Sequence, residues 1–277
     1  MSKYLLYNGR IVASEASIIS SDNRGLRYGE GFFETIKVSK GIIALKNLHF
    51  ERILKSFSIL GFEMAKAINL DVLELKINQL LIKNNHLTDA RVRCMFIRKS
   101  GGINDEVSSV PDYIIESEPI TLENKLNANG LELQVYHGAI KSCDLFSNIK
   151  SNNFLAYVMA AKYAKTQKVN DAIILNMYGR ICDTSIANIF IIKDEQVLTP
   201  ALEEGCIEGV MRRYIIENLN SDYNIIECPI TIEELMDADE VFLSNAIRGI
   251  RWVKFIEDKK YGNKKVKEIF KILNRTN

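Results

Sequence analysis

The stretch Ile149-Lys150-Ser151-Asn152-Asn153-Phe154-Leu155 is followed about thirty residues later by Asp183-Thr184-Ser185-Ile186-Ala187-Asn188-Ile189-Phe190. In the first stretch a lysine opens a predicted helix. In the second, an acid stands beside a small polar run that leads into an apolar, strand-like segment. Neither stretch is decisive alone, because the chain has many lysines. Together they form a rare pairing that predicts one site and the fold around it.

This pairing meets the requirements of pyridoxal phosphate chemistry. A lysine amine can hold the cofactor aldehyde as a Schiff base, and a carboxylate can bind the pyridine nitrogen. We therefore predict that Lys150 and Asp183 are these two groups.

The composition excludes several other classes of protein. The 277 residues carry a formal net charge of +1, and no basic stripe dominates, so nucleic acid is not an expected partner. The five cysteines form no Cys-x-x-Cys pair, which favours free thiols, and three dispersed histidines do not suggest a metal site. The sequence has no secretory h-region and no apolar run long enough to span a membrane. We expect a cytoplasmic protein that acts on a small molecule.

Alternating strand and helix signals predict a mixed α+β protein of two domains. We place a smaller N-terminal α/β domain at 1–118, an interdomain connection at 119–130 and a larger cofactor-binding domain at 131–277. Asn8-Gly9 is a strong hairpin turn, and Thr231-x-x-Glu234 is a capping box. Other predicted elements are strands at 32–38, 41–45, 91–97, 131–136, 172–175, 188–192 and 240–243. Helices are predicted at 45–60, about 71–83, 153–166, from near 208, and about 264–273.

Three segments could hold a phosphate, which needs positive charge and accessible backbone N–H groups. Gly205 and Gly209 precede a predicted helix, although an ordinary loop-to-helix junction has the same pattern. Ser244-Asn245-Ala246 forms a second small polar turn after a strand. Arg52 borders the apolar face of its predicted helix and could pair bidentately with phosphate, although an exposed arginine is the alternative.

These segments occur in one order, together with Asp22-Asn-Arg24-Gly25-Leu-Arg-Tyr28-Gly29-Glu30-Gly31-Phe32-Phe33-Glu34-Thr35 and His49-x-x-Arg52. The order and spacing resemble the class IV aminotransferases, the fold-type IV enzymes of pyridoxal phosphate. The family includes branched-chain aminotransferases, D-amino-acid aminotransferase and aminodeoxychorismate lyase. The resemblance extends from Tyr7 to about Val253.

The resemblance implies a role for each of these residues. Lys150 would bind the cofactor and move protons at the substrate. The phosphate would be held by Arg52 and by backbone groups of Gly209, Val210, Asn245 and Ala246. Ile207 would pack on the cofactor ring, and Asp183 would meet the pyridine nitrogen. The family usually has glutamate at this last position, and the shorter aspartate reaches roughly 1.5 Å less far.

The reaction depends on features that differ within the family. Phe154 replaces the tyrosine of branched-chain aminotransferases, and Arg98-Lys99-Ser100-Gly101-Gly102 lacks the Arg-x-His clamp of D-amino-acid aminotransferase. That Gly-Gly pair and the Ser244 turn resemble aminodeoxychorismate lyase, which releases pyruvate and leaves 4-aminobenzoate. Its substrate has two carboxylates, for which the candidate cations are Arg27, Arg93, Arg98 and Arg248.

Two alternatives stay open at the level of sequence. One is a branched-chain or D-amino-acid aminotransferase. The other is a relative that keeps the fold without turnover, which the aspartate at 183 would allow but the retained Lys150 argues against. The resemblance also implies a homodimer.

Overall fold

A computed structural model describes residues 2–63, 69–121, 125–219 and 223–275. The chain divides into two compact units. The first comprises Met1–Leu122 and Ile149–Asn153, and the second comprises Glu123–Asn148 and Phe154–Asn277. The short segment that carries Lys150 is thus grouped with the first unit, whereas the sequence placed it in the C-terminal domain. Residues 122–124 of the predicted connection lie outside the described residues.

The first unit is built on a six-stranded sheet in the order β2-β1-β6-β5-β3-β4, in which all neighbouring strands are antiparallel. Its elements are β1 (Tyr4–Tyr7), β2 (Arg10–Ala13), α1 (Arg24–Tyr28), β3 (Gly31–Ser39), β4 (Ile42–Ile43), α2 (Lys46–Ile59), α3 (Leu70–Asn84), β5 (Asp89–Ile97) and β6 (Asp112–Pro119).

The predicted hairpin and both predicted helices of this unit are confirmed. Asn8 and Gly9 have φ values of 48° and 82°, the left-handed conformation that a tight hairpin turn requires. The helices α2 and α3 bury the residues that recur at helical spacing, such as Ile53 and Ile77, against the sheet. This packing forms the core of the unit on one face of the sheet.

Strand β6 was not predicted, because it lacks the alternation of a half-buried strand. Tyr113 and Ile115 join the core under the helices, while Ile114 packs in a second cluster with Leu5 and Ile97. Since both faces of β6 are covered over these residues, apolar side chains follow one another without a period of two.

The second unit is built on a nine-stranded sheet in which eight strands follow the order β12-β11-β10-β13-β14-β7-β8-β9 and β15 pairs with β14. The pairs β11/β12, β14/β7 and β7/β8 are parallel. Its elements are β7 (Leu131–Lys141), α4 (Leu155–Gln167), β8 (Asp171–Asn176), β9 (Ile181–Thr184), β10 (Asn188–Lys193), β11 (Gln196–Pro200), α5 (Val210–Leu219), β12 (Ile225–Cys228), α6 (Ile232–Asp237), β13 (Glu240–Asn245), β14 (Gly249–Ile256), β15 (Lys259–Lys260) and α7 (Lys264–Arg275).

Helices cover this sheet through three buried clusters. Residues of α5 and α7 pack over Phe190 and Phe242, whose stacked rings lie 4.7 Å apart. A second cluster joins the central strands to α6, which starts with the predicted capping box at Thr231. In the third, α4 places Tyr157 and Ala160 against β8. Within the described parts of the chain, no helix is long and apolar enough to cross a membrane.

Candidate active site

The Lys150 segment is extended, and it lies beside the start of β3. The Phe33 N–H donates to the Lys150 carbonyl oxygen at 3.0 Å, and the Asn152 N–H donates to the Gly31 carbonyl oxygen at 2.9 Å. Helix α4 begins only at Leu155. The expectation that Lys150 opens this helix is therefore wrong, because these hydrogen bonds hold its backbone as a short strand-like addition to the first unit.

This arrangement explains the glycines of the Tyr28-Gly29-Glu30-Gly31 motif. Gly29 has a φ of 67°, and a Cβ atom there would lie 2.2 Å from the Asn153 Oδ1 atom. A Cβ atom on Gly31 would lie 2.3 Å from the Phe96 carbonyl oxygen and 2.6 Å from the Asn152 Nδ2 atom. Side chains at either position would push the lysine segment away from β3, so the motif and the lysine form one packed feature.

Two cations lie against the ring of Phe33. The Lys150 Nζ atom is 4.7 Å from the ring centroid, and the Arg93 guanidinium carbon is 3.8 Å from it. Arg93 is half-buried on β5, and burial lowers the pKa of its guanidinium. Among the described residues, no carboxylate lies within ion-pair distance of Arg93. The Arg93 guanidinium can therefore pair with an anion.

Arg52 is held by the carboxylate of Glu34, a residue for which the sequence indicated no role. Its Nε and Nη2 atoms donate to the two Glu34 oxygens at 2.6 and 2.7 Å. The His49 Nδ1 atom also lies 2.8 Å from Glu34 Oε2. Burial opposes ionisation of Glu34, but the Arg52 charge and the His49 contact outweigh it and lower the pKa of Glu34 to about 2. Arg52 thus makes a bidentate pairing with Glu34, a residue inside the quoted motif, while its predicted pairing with phosphate stays a prediction.

The other candidate substrate arginines lie in different settings. Arg98 is held by Glu30 at 2.8 Å and by the Leu60 carbonyl oxygen at 2.7 Å, so it already has strong partners. Arg27 and Arg248 are exposed, and the Arg27 Nε atom donates to the Ser21 carbonyl oxygen. Arg93 contacts the same Phe33 ring as Lys150.

In the second unit, Asp183 on β9 is buried, with 2% of its surface exposed. Its Oδ1 atom accepts from the Asn188 amide at 2.9 Å. Its Oδ2 atom accepts from the Ile207 N–H at 2.9 Å and from the Tyr157 hydroxyl at 2.8 Å. Burial raises the pKa of Asp183, while the nearby Lys141 ammonium group, the Ile207 N–H and the Tyr157 hydroxyl oppose the rise.

Asn188 connects the carboxylate to both predicted phosphate turns. Its amide also donates to the Ile207 carbonyl oxygen at 2.8 Å, and its backbone pairs with Ser244 across β10 and β13. A Cβ atom on Gly209 would lie 1.8 Å from Asn188 Oδ1, so only glycine fits there. The second unit therefore assembles Asp183, Ile207, the Gly209 turn and the Ser244 turn around one asparagine.

The two turns have features of an anion site. Val210 begins α5, and N–H groups in the first turn of a helix lack partners within that helix. The Asn245 side chain organises the other turn, since its Oδ1 atom accepts from the backbone N–H groups of Ile247 and Arg248 at 3.1 and 2.8 Å. The neighbouring Ser244 Oγ atom is buried and has no hydrogen-bond partner in the described part of the protein.

Comparison with known proteins assigns the chain to a class of enzymes. The family described as amino-transferase class IV matches residues 31–256. An aminodeoxychorismate lyase of Vibrio harveyi is 28% identical over 232 residues, which cover 82% of this chain and 83% of the relative. A D-alanine aminotransferase of Bacillus licheniformis is 24% identical over 267 residues, or 94% of this chain and 90% of the relative.

A solved branched-chain aminotransferase from Thermoproteus uzoniensis has the same fold, with a TM-score of 0.87 at 24% identity, covering 99% of this chain and 94% of that chain. The chain belongs to the class IV aminotransferase family, and the expected fold class is confirmed. Enzymes of this family use pyridoxal 5′-phosphate. The residues present fit this cofactor. Within the described residues, Asp183 is a buried carboxylate with one hydrogen bond to Oδ1, Ser244 has a buried hydroxyl without a hydrogen-bond partner, and Gly209 admits no side chain.

Proposed function

We propose that this enzyme is a 4-amino-4-deoxychorismate lyase, which releases pyruvate and 4-aminobenzoate. The observation that carries the proposal is Arg93, a half-buried cation that shares the Phe33 ring with Lys150 and lacks an ion pair among the described residues. The proposed substrate bears two carboxylates. A guanidinium beside the reactive lysine offers one of them a charge-assisted, bidentate partner.

The proposal keeps the binding roles that family membership implies. Lys150 would hold the cofactor covalently, and Asp183 would accept a hydrogen bond from the pyridine nitrogen. Glu34 fixes the guanidinium of Arg52, which would pair with the phosphate. The remaining contacts would come from the side chain of Ile207 and from backbone groups of Gly209, Val210, Asn245 and Ala246.

When bound, pyridoxal phosphate supplies an aldehyde for the substrate amine and a ring that withdraws electrons. The protein supplies orientation and a proton acceptor. Arg93 holds a substrate carboxylate, so that the ring C–H bond to be broken faces Lys150. Once the substrate amine has replaced Lys150 on the cofactor, the free Lys150 amine would accept that proton. The bond from the substrate ring to the enolpyruvyl oxygen would break, and the released enolate would take up one proton at carbon to become pyruvate.

An aminotransferase acting on branched-chain or D-amino acids is the second candidate. It has support from the same observation, since Arg93 would also pair with the carboxylate of an amino acid or a 2-oxo acid. Two sequence features favour the lyase: Phe154 offers no hydroxyl where branched-chain enzymes have tyrosine, and residues 98–102 lack the Arg-x-His clamp.

The first experiment separates these reactions. The protein is loaded with pyridoxal phosphate, its absorbance is recorded before and after borohydride, and the labelled lysine is located by peptide mass spectrometry. Pyruvate is then measured with aminodeoxychorismate in the absence of any amino acceptor. The lyase proposal requires pyruvate release and a label on Lys150. Label without pyruvate, together with 2-oxoglutarate-dependent amino transfer, would establish the aminotransferase instead.

Alanine variants of two lysines test whether Lys150 is the catalytic lysine. Lys150→Ala should lose both the borohydride label and turnover. Lys162→Ala removes an exposed lysine of α4 and should keep both. Full activity of Lys150→Ala would refute the assignment of the catalytic lysine.

Neighbouring arginines on β5 test the substrate site. Arg93→Met should lower kcat/KM about tenfold to a hundredfold, because a hydrogen bond to a charged group contributes roughly 1.5–3 kcal/mol. Arg91→Met is the matched control, since Arg91 is exposed and pairs with Glu118 at 2.6 Å. Equal kinetics in the two variants would remove Arg93 from the substrate site.

We also propose a homodimer. Unit 2 exposes apolar side chains on α4, including Leu155 at 72% and Val158 at 55%, and a second copy of the chain would bury them. Light scattering after size exclusion should give twice the mass of 31.5 kDa. Val158→Glu should weaken the dimer, whereas Ile82→Glu, at an exposed position of α3, should not. A monomer in the unmodified protein would end this proposal.

A further inference from the structure

The buried ammonium group of Lys141 lies close to the Asp183 carboxylate. Lys141 ends β7 with 9% of its surface exposed, and its Nζ atom lies 3.5 Å from Asp183 Oδ2. The ammonium group donates to the Ser147 carbonyl oxygen at 3.1 Å and to the Tyr157 hydroxyl. Burying such a charge is unfavourable unless it is paired and hydrogen-bonded, so each of these partners is needed.

Tyr157 links the ammonium group to the carboxylate. Its hydroxyl accepts from Lys141 and donates to Asp183 Oδ2 at 2.8 Å, which forms a continuous chain of hydrogen bonds. Its ring stacks on Phe154, with centroids 4.3 Å apart and planes inclined by 14°. The stacking fixes the ring, and the chain of hydrogen bonds polarises the hydroxyl toward Asp183.

The two carboxylate oxygens of Asp183 have different hydrogen-bond donors. Oδ2 receives the Tyr157 hydroxyl and the Ile207 N–H, and it faces Lys141. Among the residues that the structure describes, Oδ1 receives only the Asn188 amide. An ionised carboxylate oxygen can accept about two hydrogen bonds, so Oδ1 retains the capacity to accept another.

We propose that Lys141, acting through Tyr157, is a positioning residue that keeps Asp183 ionised and holds Oδ1 ready for the pyridine nitrogen of the cofactor. The proposal rests on the proposed role of Asp183 and adds two residues to it. A protonated carboxyl group could not accept a hydrogen bond from a protonated pyridine in the same way, so the charge of Lys141 would control cofactor binding.

The other titratable groups around Asp183 are two thiols and a phenol. Burial raises the pKa of Cys182 well above its usual value, raises that of Cys206 to about 12, and raises that of Tyr157 strongly. All three groups therefore remain neutral at physiological pH. Lys141 is the cation that faces the carboxylate in the described residues, and removing it leaves burial without an opposing charge.

The test compares cofactor affinity across pH 5.5 to 8.5 in the full-length protein. The dissociation constant of pyridoxal phosphate is measured by absorbance titration for the unmodified protein and for Lys141→Met. The cofactor phosphate and Lys150 titrate in both proteins. The ratio of the two dissociation constants therefore does not depend on these titrations. A purely structural role of Lys141 would change affinity by a constant factor at every pH.

The expected result is a ratio that depends on pH. Without the ammonium group the pKa of Asp183 rises further, so the carboxyl holds its proton at low pH and the variant binds the cofactor at least about tenfold more weakly there. The difference in cofactor affinity between Lys141→Met and the unmodified protein should become smaller as pH rises through the raised pKa of Asp183. Lys141→Arg retains the positive charge and should restore a ratio that is flat with pH.

Two tyrosines of α4 provide variants that preserve packing. Tyr157→Phe keeps the stacked ring and removes the bridging hydroxyl, so it should weaken binding with the same dependence on pH. Tyr163→Phe is the matched control, because the Tyr163 hydroxyl donates to Gln134 and does not contact Asp183. If Lys141→Met does not fold, Tyr157→Phe carries the test, and a flat ratio in that variant would overturn the proposal.

The variant Asp183→Asn distinguishes the proposed role of Asp183 in cofactor binding from the proposed role of Lys141. Weaker cofactor binding by Asp183→Asn, together with a flat ratio for Lys141→Met, would overturn the role of Lys141 and leave the role of Asp183 intact. Unchanged binding by Asp183→Asn would overturn the assignment of Asp183 and, with it, the role of Lys141. Weaker binding by Asp183→Asn and a pH-dependent ratio for Lys141→Met would support both.

Discussion

Glu34 is expected to stabilise the first unit in a manner that depends on pH. Its pKa falls from 4.5 to about 2 in the folded protein, because the Arg52 charge and the His49 contact outweigh full burial. A shift of about 2.5 units corresponds to about 3 kcal/mol of folding free energy. Since the folded pKa is depressed, this contribution is present above pH 4.5 and is lost as pH falls through about 2. About 2 kcal/mol of it should be gone by pH 3.

Glu34→Gln removes the titrating group and isolates this contribution. The variant should be less stable at pH 7, and the difference from the unmodified protein should narrow between pH 5 and 3. Amide hydrogen exchange of peptides from β3 and α2 reports on the first unit specifically, whereas the single tryptophan, Trp252, lies in the second unit.

A surface carboxylate on the same sheet provides the control. Glu118 pairs with Arg91, but both side chains are about half exposed. Exposed pairs contribute roughly 0–1 kcal/mol, so Glu118→Gln should change the exchange rates little at any pH. The reasoning fails if Glu34→Gln and the unmodified protein lose protection in parallel as the pH falls.

Three further variants test local features of the structure. Thr231→Ala removes the capping box of α6 and should cost about 1 kcal/mol of unfolding free energy, measured by chemical denaturation. Ile77→Ala should cost about 2–5 kcal/mol because Ile77 is completely buried, and a value as small as that of exposed Ile82→Ala would contradict the packing. Gly209→Ala should lower both stability, by about 1–3 kcal/mol, and cofactor affinity, because its Cβ displaces Asn188 from Asp183; wild-type affinity in a titration would exclude that contact.

Features encoded over a few neighbouring residues could be predicted from the sequence. The Asn8-Gly9 turn, the amphipathic helices α2 and α3 and the capping box at Thr231 each depend on local conformational preferences and on helical spacing. Strand β14, from Gly249 to Ile256, received no prediction. Its buried positions are interrupted by half-buried charged residues, so the sequence does not show the alternation of a strand. Backbone pairing with β13 and β7 stabilises the strand instead.

Site residues were predicted only where they stand inside a recognisable motif. Lys150 and Asp183 were predicted from their flanking residues, and Arg52 from the apolar face of its helix. Glu34 lies within the quoted motif, yet nothing in its neighbours indicates a buried carboxylate. Tyr157 shares an apolar helix face with Ala160 and Ala164, which indicates packing and gives no sign of a polar contact.

The sequence by itself determined the family and the helices and strands that have a clear period, and it led to the proposal of Lys150 as the reactive lysine. Tertiary structure alone decided what surrounds the two carboxylates, Glu34 and Asp183. The partners of Asp183 come from β7, α4, β10 and the loop before α5, which are distant along the chain. Burial and charge act through space, so the pKa of a carboxyl group depends on neighbours that no local pattern identifies.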